Sequence, residues 1–191
     1  MANQRPTEVY MESNPNPNSM KFVINYNLVP EGVALDYPNK EDAKDSPLAL
    51  ELFEIEKINR VFITANFITL NKEEAAEWDE LAKELRPFIK NYLQEGKQVL
   101  SRVPKEFLAK EVVEDQVEAK IISVLEEYIK PAVEMDGGAI IFKSFDEGKL
   151  TVTLQGSCSG CPSSTLTLKS GIENLMKRMV PEVGEVVAEE G

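Results

Sequence analysis

The chain contains two cysteines, Cys158 and Cys161, and they stand two residues apart in the stretch 156–164, GSCSGCPSS. It contains no histidine, which removes Ser/His/Asp and Cys/His catalysis and every metal site that needs an imidazole. Carboxylates and two thiols remain as the chemical resources. A structural disulfide across so short a loop adds little stability, and an intracellular setting argues against it. A dithiol oxidoreductase is the stronger rival, because a strand, a CxxC and a helix in series also describe thioredoxin-like proteins. That fold needs a βα unit before the motif and more sheet after it, whereas here a helix and a hairpin precede the cysteines. Metal binding is the third possibility. Tetrahedral zinc and cubane iron-sulfur sites take four ligands, so a complete site requires Cys158 and Cys161 from two protomers, or small thiols at the remaining positions. The ligand count thus predicts a dimer around the metal, and CxxC alone does not choose between zinc and iron-sulfur.

The residues around the thiols favour an anionic group. Pro162 suits the first position of a helix, which puts Cys161 near the N-cap, where unpaired amide N–H groups and the positive end of the helix dipole stabilise a thiolate. Gly156 and Gly160 lack Cβ atoms, so the backbone there can turn sharply and approach a bulky anion closely. Ser157, Ser159, Ser163 and Ser164 offer hydroxyl donors, with turn and cap chemistry as their plainer role.

The elements that must hold this loop read as an α+β domain spanning 116–191, in the order helix, hairpin, CxxC loop, helix, strand. Val117, Ile121, Val124, Leu125, Tyr128 and Ile129 keep helical spacing up to Pro131, and Gly137-Gly138 ends that helix. Ala139–Phe145 and Lys149–Gln155 read as strands joined at Asp146-Glu147-Gly148. Beyond Pro162 a helical face runs through Leu168, Ile172, Leu175, Met176 and Met179, and Val183–Ala188 returns as a last strand. A first α+β domain occupies 1–96. Its strands are Val9–Glu12 and Met20–Tyr26, flanking the turn-forming Asn14-Pro15-Asn16-Pro17-Asn18, then Val61–Thr64 and Phe67–Leu70 across Ala65-Asn66, about four strands in all. Ser46-Pro47 opens a short helix. Asn71 with Glu74 resembles a capping box for a long helix through Trp78, Leu81, Leu85, Phe88, Ile89 and Tyr92, kinked at Pro87 and capped at Gly96. Residues 97–115 read as a linker.

Composition narrows the partners. Asp and Glu outnumber Lys and Arg by 33 to 21, a net charge of -12, which repels nucleic acid and anionic lipid surfaces. No apolar run approaches the roughly 18 residues of a membrane span. The first residues, MANQRPTEVYMES, contain neither an apolar signal core nor an Arg-rich, acid-poor amphipathic stretch, so the chain reads as a cytoplasmic protein or an already processed one, with the cytoplasm as the expected compartment.

The segment from Ile129 to Pro181 resembles the C-terminal domain of the Nfu (NifU-like) iron-sulfur cluster carriers. Pro131, Asp136-Gly137-Gly138, Leu154-Gln155-Gly156, Cys158-Ser159-Gly160-Cys161-Pro162-Ser163, Thr167-Leu168-Lys169 and Gly171-Ile172-Glu173 occur in the family's order. Val9 to Glu95 separately resembles the N-terminal domain of two-domain Nfu proteins, through Asn14–Asn18, Lys21-Phe22, Ser46-Pro47-Leu48-Ala49, Leu52-Phe53, Val61-Phe62, Phe67-Ile68-Thr69 and Trp78. Two departures stand out: the pattern usually has a glycine where Lys57 to Asn59 stand, and position 139, usually polar, is Ala.

The resemblance implies a non-enzymatic carrier. Cys158 and Cys161 of two subunits would together ligate a 4Fe-4S cluster, exposed at a dimer interface, which then passes to apo-proteins. Its partners would be apo iron-sulfur clients, upstream cluster-assembly proteins and a second copy of the chain. A cluster with two ligands per subunit is surrendered by exchange with a client's thiolates more readily than one held by four cysteines of one chain. A dithiol redox protein and a zinc-bridged dimer are the alternatives. The N-terminal domain, with no cysteine, histidine or phosphate loop, is read as a docking or client-selection module, or else as a stabilising one.

Overall fold

A computed structural model of the chain describes residues 6–103, 115–159 and 162–191. The chain divides into two compact units, Met1–Ala109 and Lys110–Gly191. The first unit is a five-stranded antiparallel sheet in the order β1-β2-β5-β4-β3, formed by β1 (Val9–Ser13), β2 (Ser19–Ile24), β3 (Ala34–Tyr37), β4 (Ile58–Thr64) and β5 (Phe67–Lys72). Strand alternation sends Phe22, Ile24, Val61, Ile63, Ile68 and Leu70 to one face, where they form one core with residues of two helices. Helix α1 (Pro47–Leu52) contributes Leu48 and Leu52, and α2 (Trp78–Gln94) contributes Leu85 and Ile89. Ser46 caps α1, its hydroxyl accepting from the Ala49 N–H at 3.1 Å, and Pro47 fills a first-turn position.

Three expectations change here. The sheet gains β3, a four-residue edge strand. Asn71 is not a helix cap: it lies in the β5 ladder opposite Ser19 and Arg60, and α2 starts only at Trp78, after Glu77, which makes no side-chain cap. Pro87 lies inside α2, as expected. Residues 97–103, expected as linker, pack on the first core through Val99, Leu100 and Val103. Tyr92 Oη donates to Gln98 O, Ser46 Oγ donates to Val99 O and the Ser101 N–H donates to Asp45 O, each at 2.7 Å. The rest of that expected linker, 104–114, lies outside the described residues. Gly96 closes α2 as expected, in the left-handed region (φ 71°), with its N–H on Leu93 O at 3.1 Å.

Lys57 explains the first departure from the family pattern. It sits in the turn before β4 with φ 73°, a conformation glycine adopts without cost and a Cβ resists.

The second unit begins with α3 (Gln116–Val124), capped by Asp115, whose Oδ1 accepts from the Val117 and Glu118 N–H groups at 2.6 and 3.2 Å. The helix runs on through a π turn, Leu125–Ile129, into α4 (Lys130–Met135). Pro131 accounts for the π turn: its ring crowds the carbonyl four residues back and supplies no N–H, and the Lys130 N–H bonds instead to Leu125 O, five residues back. Next come β6 (Gly138–Asp146) and β7 (Lys149–Gly156), an antiparallel hairpin whose two turn residues, Glu147 (φ 46°) and Gly148 (φ 82°), are both left-handed. Helix α5 (Pro162–Met179) crosses to β8 (Glu185–Glu190), which pairs parallel with β7, giving the order β6-β7-β8. Ile121, Leu125, Val133, Ile140, Val152, Leu154, Ile172, Met176 and Val186 form its core. Glu173 ties α5 to the sheet edge, accepting from the Val186 N–H at 3.2 Å and from Lys177 Nζ at 2.6 Å. Lys177 first, then Val186, holds its carboxyl below the usual carboxylate value. Among the described residues, no helix is long and apolar enough to cross a membrane.

Candidate functional site

Strand β7 delivers the chain to the cysteine loop and α5 carries it away. The strand ends at Gly156, whose φ of 67° permits the turn. The Ser159 N–H then closes the turn on Gly156 O at 3.2 Å. Cys158 is 5% exposed and belongs to the apolar core of the second unit. Gly160 and Cys161 lie outside the described residues. Pro162, the next residue after Cys161, is the first of α5, so the helix begins where its proline leads one to expect.

The loop is held by the residues that link α4 to β6. The Ser157 N–H donates to Gly137 O at 3.2 Å and Ser157 Oγ donates to Asp136 O. Gly137 adopts φ 80°, which brings its carbonyl round to the loop. Gly138 pairs with Gly156 at the open end of the hairpin. A Cβ at position 138 would stand 2.7 Å from Gln155 O and 2.8 Å from Cys158 Sγ, closer than nonbonded atoms approach. The Cys158 sulfur therefore occupies the space that a side chain at 138 would fill. Asp136, Gly137 and Gly138 together form a seat for the first thiol: a carbonyl, a turn and an absent side chain.

Two details of the loop follow from this geometry. Cys158 is buried, because a thiol packs as a small apolar group and the gap over Gly138 admits it. Ser157 and Ser159 spend their hydroxyl protons on main-chain carbonyls, Asp136 O and, at 2.8 Å, Leu154 O, which is the plainer turn role. The side chains of Ser163 and Ser164 are outside the described residues. What the sequence reading missed is the Asp136-Gly137-Gly138 seat. Its signal is the doubled glycine after a helix, which marks a helix stop and a family motif in the sequence but does not by itself point to Cys158. At the second family departure, Ala139 lies directly across from Gln155. Among the described residues, the buried Gln155 Oε1 has no hydrogen-bond partner, and an alanine neighbour has none to offer.

Comparison with known proteins gives two family-model matches in succession. Residues 9–96 match "Scaffold protein Nfu/NifU N terminal" and residues 121–187 match "NifU-like domain". The NFU1 iron-sulfur cluster scaffold homolog, mitochondrial, of Drosophila willistoni is 37% identical over 185 residues, covering 96% of this chain and 64% of that protein. Its counterpart in Drosophila erecta is 36% identical over 188 residues, covering 97% of this chain and 66% of that protein. The chain thus spans slightly less than two thirds of the length of these relatives. A solution NMR structure of a NifU-like protein from Saccharomyces cerevisiae has 24% identity and a TM-score of 0.47, covering 53% of this chain and 91% of that one. The cytoplasmic expectation is corrected by the relatives' names, which are mitochondrial; the first residues of a chain that spans part of its relatives do not decide the compartment. With both domain models in order and the likeness extending over nearly the whole chain, this chain belongs to the Nfu/NifU-like family, in its two-domain form.

Proposed function

We propose that this chain is a non-enzymatic carrier of iron-sulfur clusters, with the cluster as its cargo. The single observation that carries the reading is a CxxC holding the chain's entire stock of thiols, on the strand-to-helix loop of its NifU-like domain. Two thiolates and no imidazole cannot complete four ligand positions, so Cys158 and Cys161 from each of two copies ligate a 4Fe-4S cluster shared between them. The seat formed by Asp136, Gly137 and Gly138 orients Cys158, and the start of α5 offers amide N–H groups next to Cys161.

Release proceeds by exchange of ligands. A client thiolate takes the place of one carrier thiolate at an iron, the displaced sulfur takes up a proton, and no electron changes hands. Holding the cargo through only two sulfurs per chain keeps each displacement step accessible. The partners are therefore apo iron-sulfur proteins and the assembly proteins that supply the cluster. The first unit serves as the docking module that selects among them.

Replacing either Cys158 or Cys161 by Ala is expected to abolish iron and sulfide uptake while leaving the fold intact by circular dichroism. Full cluster occupancy in either variant would sink the assignment. A disulfide redox protein would instead turn over dithiols without metal, and a zinc-bridged dimer would be colourless and fall apart with chelator.

A further inference from the structure

The helical segment that leads into the site carries an apolar stripe on its solvent side. Tyr128 is 48% and Met135 74% exposed, and Pro131 and Ala132 between them are exposed as well. Separations of three or four and seven residues put these side chains on one helical face, while Leu125, Ile129 and Val133 of the same segment are buried in the core. Scattered exposed apolar residues are ordinary; an aligned set is the kind of surface that mates with another. The stripe ends at the cysteine loop, because Met135 is followed directly by Asp136 and Gly137, whose carbonyls receive the two Ser157 hydrogen bonds.

We infer that this stripe is the surface on which a second copy of the chain seats, across a two-fold axis through the paired CxxC loops. The inference rests on the carrier reading above, because the ligand count is what requires a second copy: two thiols and no histidine per chain against four positions. A chain that supplies the missing pair of sulfurs must come up against whatever borders the loop, and the stripe borders it. Two-fold pairing is isologous, so the same residues serve on both sides. Charge also favours apolar contact here. Each copy carries a net charge of -12, so the copies repel at long range, and Lys130 within this segment is already engaged with Glu126 at 2.7 Å. A small methionine-bearing contact, adaptable and of modest area, holds while the cargo is shared and lets go once it leaves.

The test uses the full chain with Met135 replaced by the photo-crosslinker p-benzoylphenylalanine, irradiated anaerobically after reconstitution with ferrous iron and sulfide. The expected product is a covalent dimer whose cross-links map to residues 116–191 of the second copy. In parallel, the double substitution Tyr128→Glu and Met135→Glu is expected to raise the dissociation constant of the loaded dimer at least tenfold, with the melting temperature of the metal-free chain unchanged. Cross-links confined to residues 1–109, no cross-links, or a charged variant that dimerises like the parent would overturn the inference. If the parent takes up no iron and sulfide, the carrier reading fails on its own account. The stripe is then judged on the metal-free chain at high concentration, where a cross-linked dimer supports it and its absence overturns it.

Discussion

Substituting Gly138 by Ala tests whether the first thiol is seated as described. The added Cβ would lie 2.7 Å from Gln155 O, 2.8 Å from Cys158 Sγ and 3.3 Å from Cys158 Cβ. The sulfur can rotate away, but the Gln155 carbonyl belongs to the backbone of β7, so the open end of the hairpin must spread. Forced shifts of this size cost about 2 kcal/mol. The lower freedom of Ala in the unfolded chain returns about 0.5 kcal/mol, leaving about 1.5 kcal/mol, or roughly tenfold in the population of the opened loop. The assay is alkylation of the metal-free chain under native conditions, with peptide mass spectrometry separating Cys158 from Cys161. In the parent, Cys158 is shielded and reacts through local opening. In Gly138→Ala it is expected to react about tenfold faster. An unchanged Cys158 rate with unchanged stability would show that the sulfur does not rest on Gly138, and the account of the seat would be refuted.

Other positions give independent checks. Gly171 lies in α5 with nothing within 4 Å of a Cβ placed there, so Gly171→Ala should stabilise the second unit by about 1 kcal/mol through helix propensity, measured by thermal melting; a loss of stability would mean that the position is packed or used. Lys57→Gly relieves a left-handed lysine at about 1–2 kcal/mol and adds about 0.5–1 kcal/mol of glycine entropy cost. A small net gain is expected in urea unfolding followed by the fluorescence of Trp78, the single tryptophan, and a loss would contradict the strain. Glu173 has its carboxyl pKa lowered by Lys177 and the Val186 N–H, so its contribution is present above the ordinary carboxylate range and fades as pH falls through its lower folded value. Glu173→Gln should therefore melt lower than the parent near neutral pH, with the gap closing below about pH 4.3, whereas a gap independent of pH would assign the effect elsewhere.

Much of this architecture was legible because local signals and tertiary needs agree. Ser46-Pro47 opened α1, Ala65-Asn66 joined β4 to β5, and the apolar spacing of Leu81, Leu85 and Ile89 marked the buried face of α2. Where they conflict, the reading slipped. Asn71 carries cap-like chemistry, but the ladder bonds of β5 claim it before a helix can start. Strand β3 is four residues at a sheet edge between Gly32 and Pro38, too short for its alternation to show, and its strand character comes from pairing with β4. The π turn at Leu125–Ile129 follows from Pro131, although helical spacing alone suggested an uninterrupted helix to that point. At the site, the types and spacing of the cysteines were plain in the sequence. The support was not, because Asp136, Gly137 and Gly138 meet Ser157 and Cys158 across about 20 residues of chain, and only the β6–β7 pairing brings them together.

The central claim, that thiolates from two chains share one cluster, is tested most directly by measuring iron, sulfide and molecular mass on the same anaerobically reconstituted sample. The account predicts a brown dimer with about four irons and four sulfides per pair of chains, reverting to smaller species when the cargo is passed to an apo-protein or removed by chelator. A loaded monomer with the same content per single chain, or a dimer whose only metal is zinc, would contradict it.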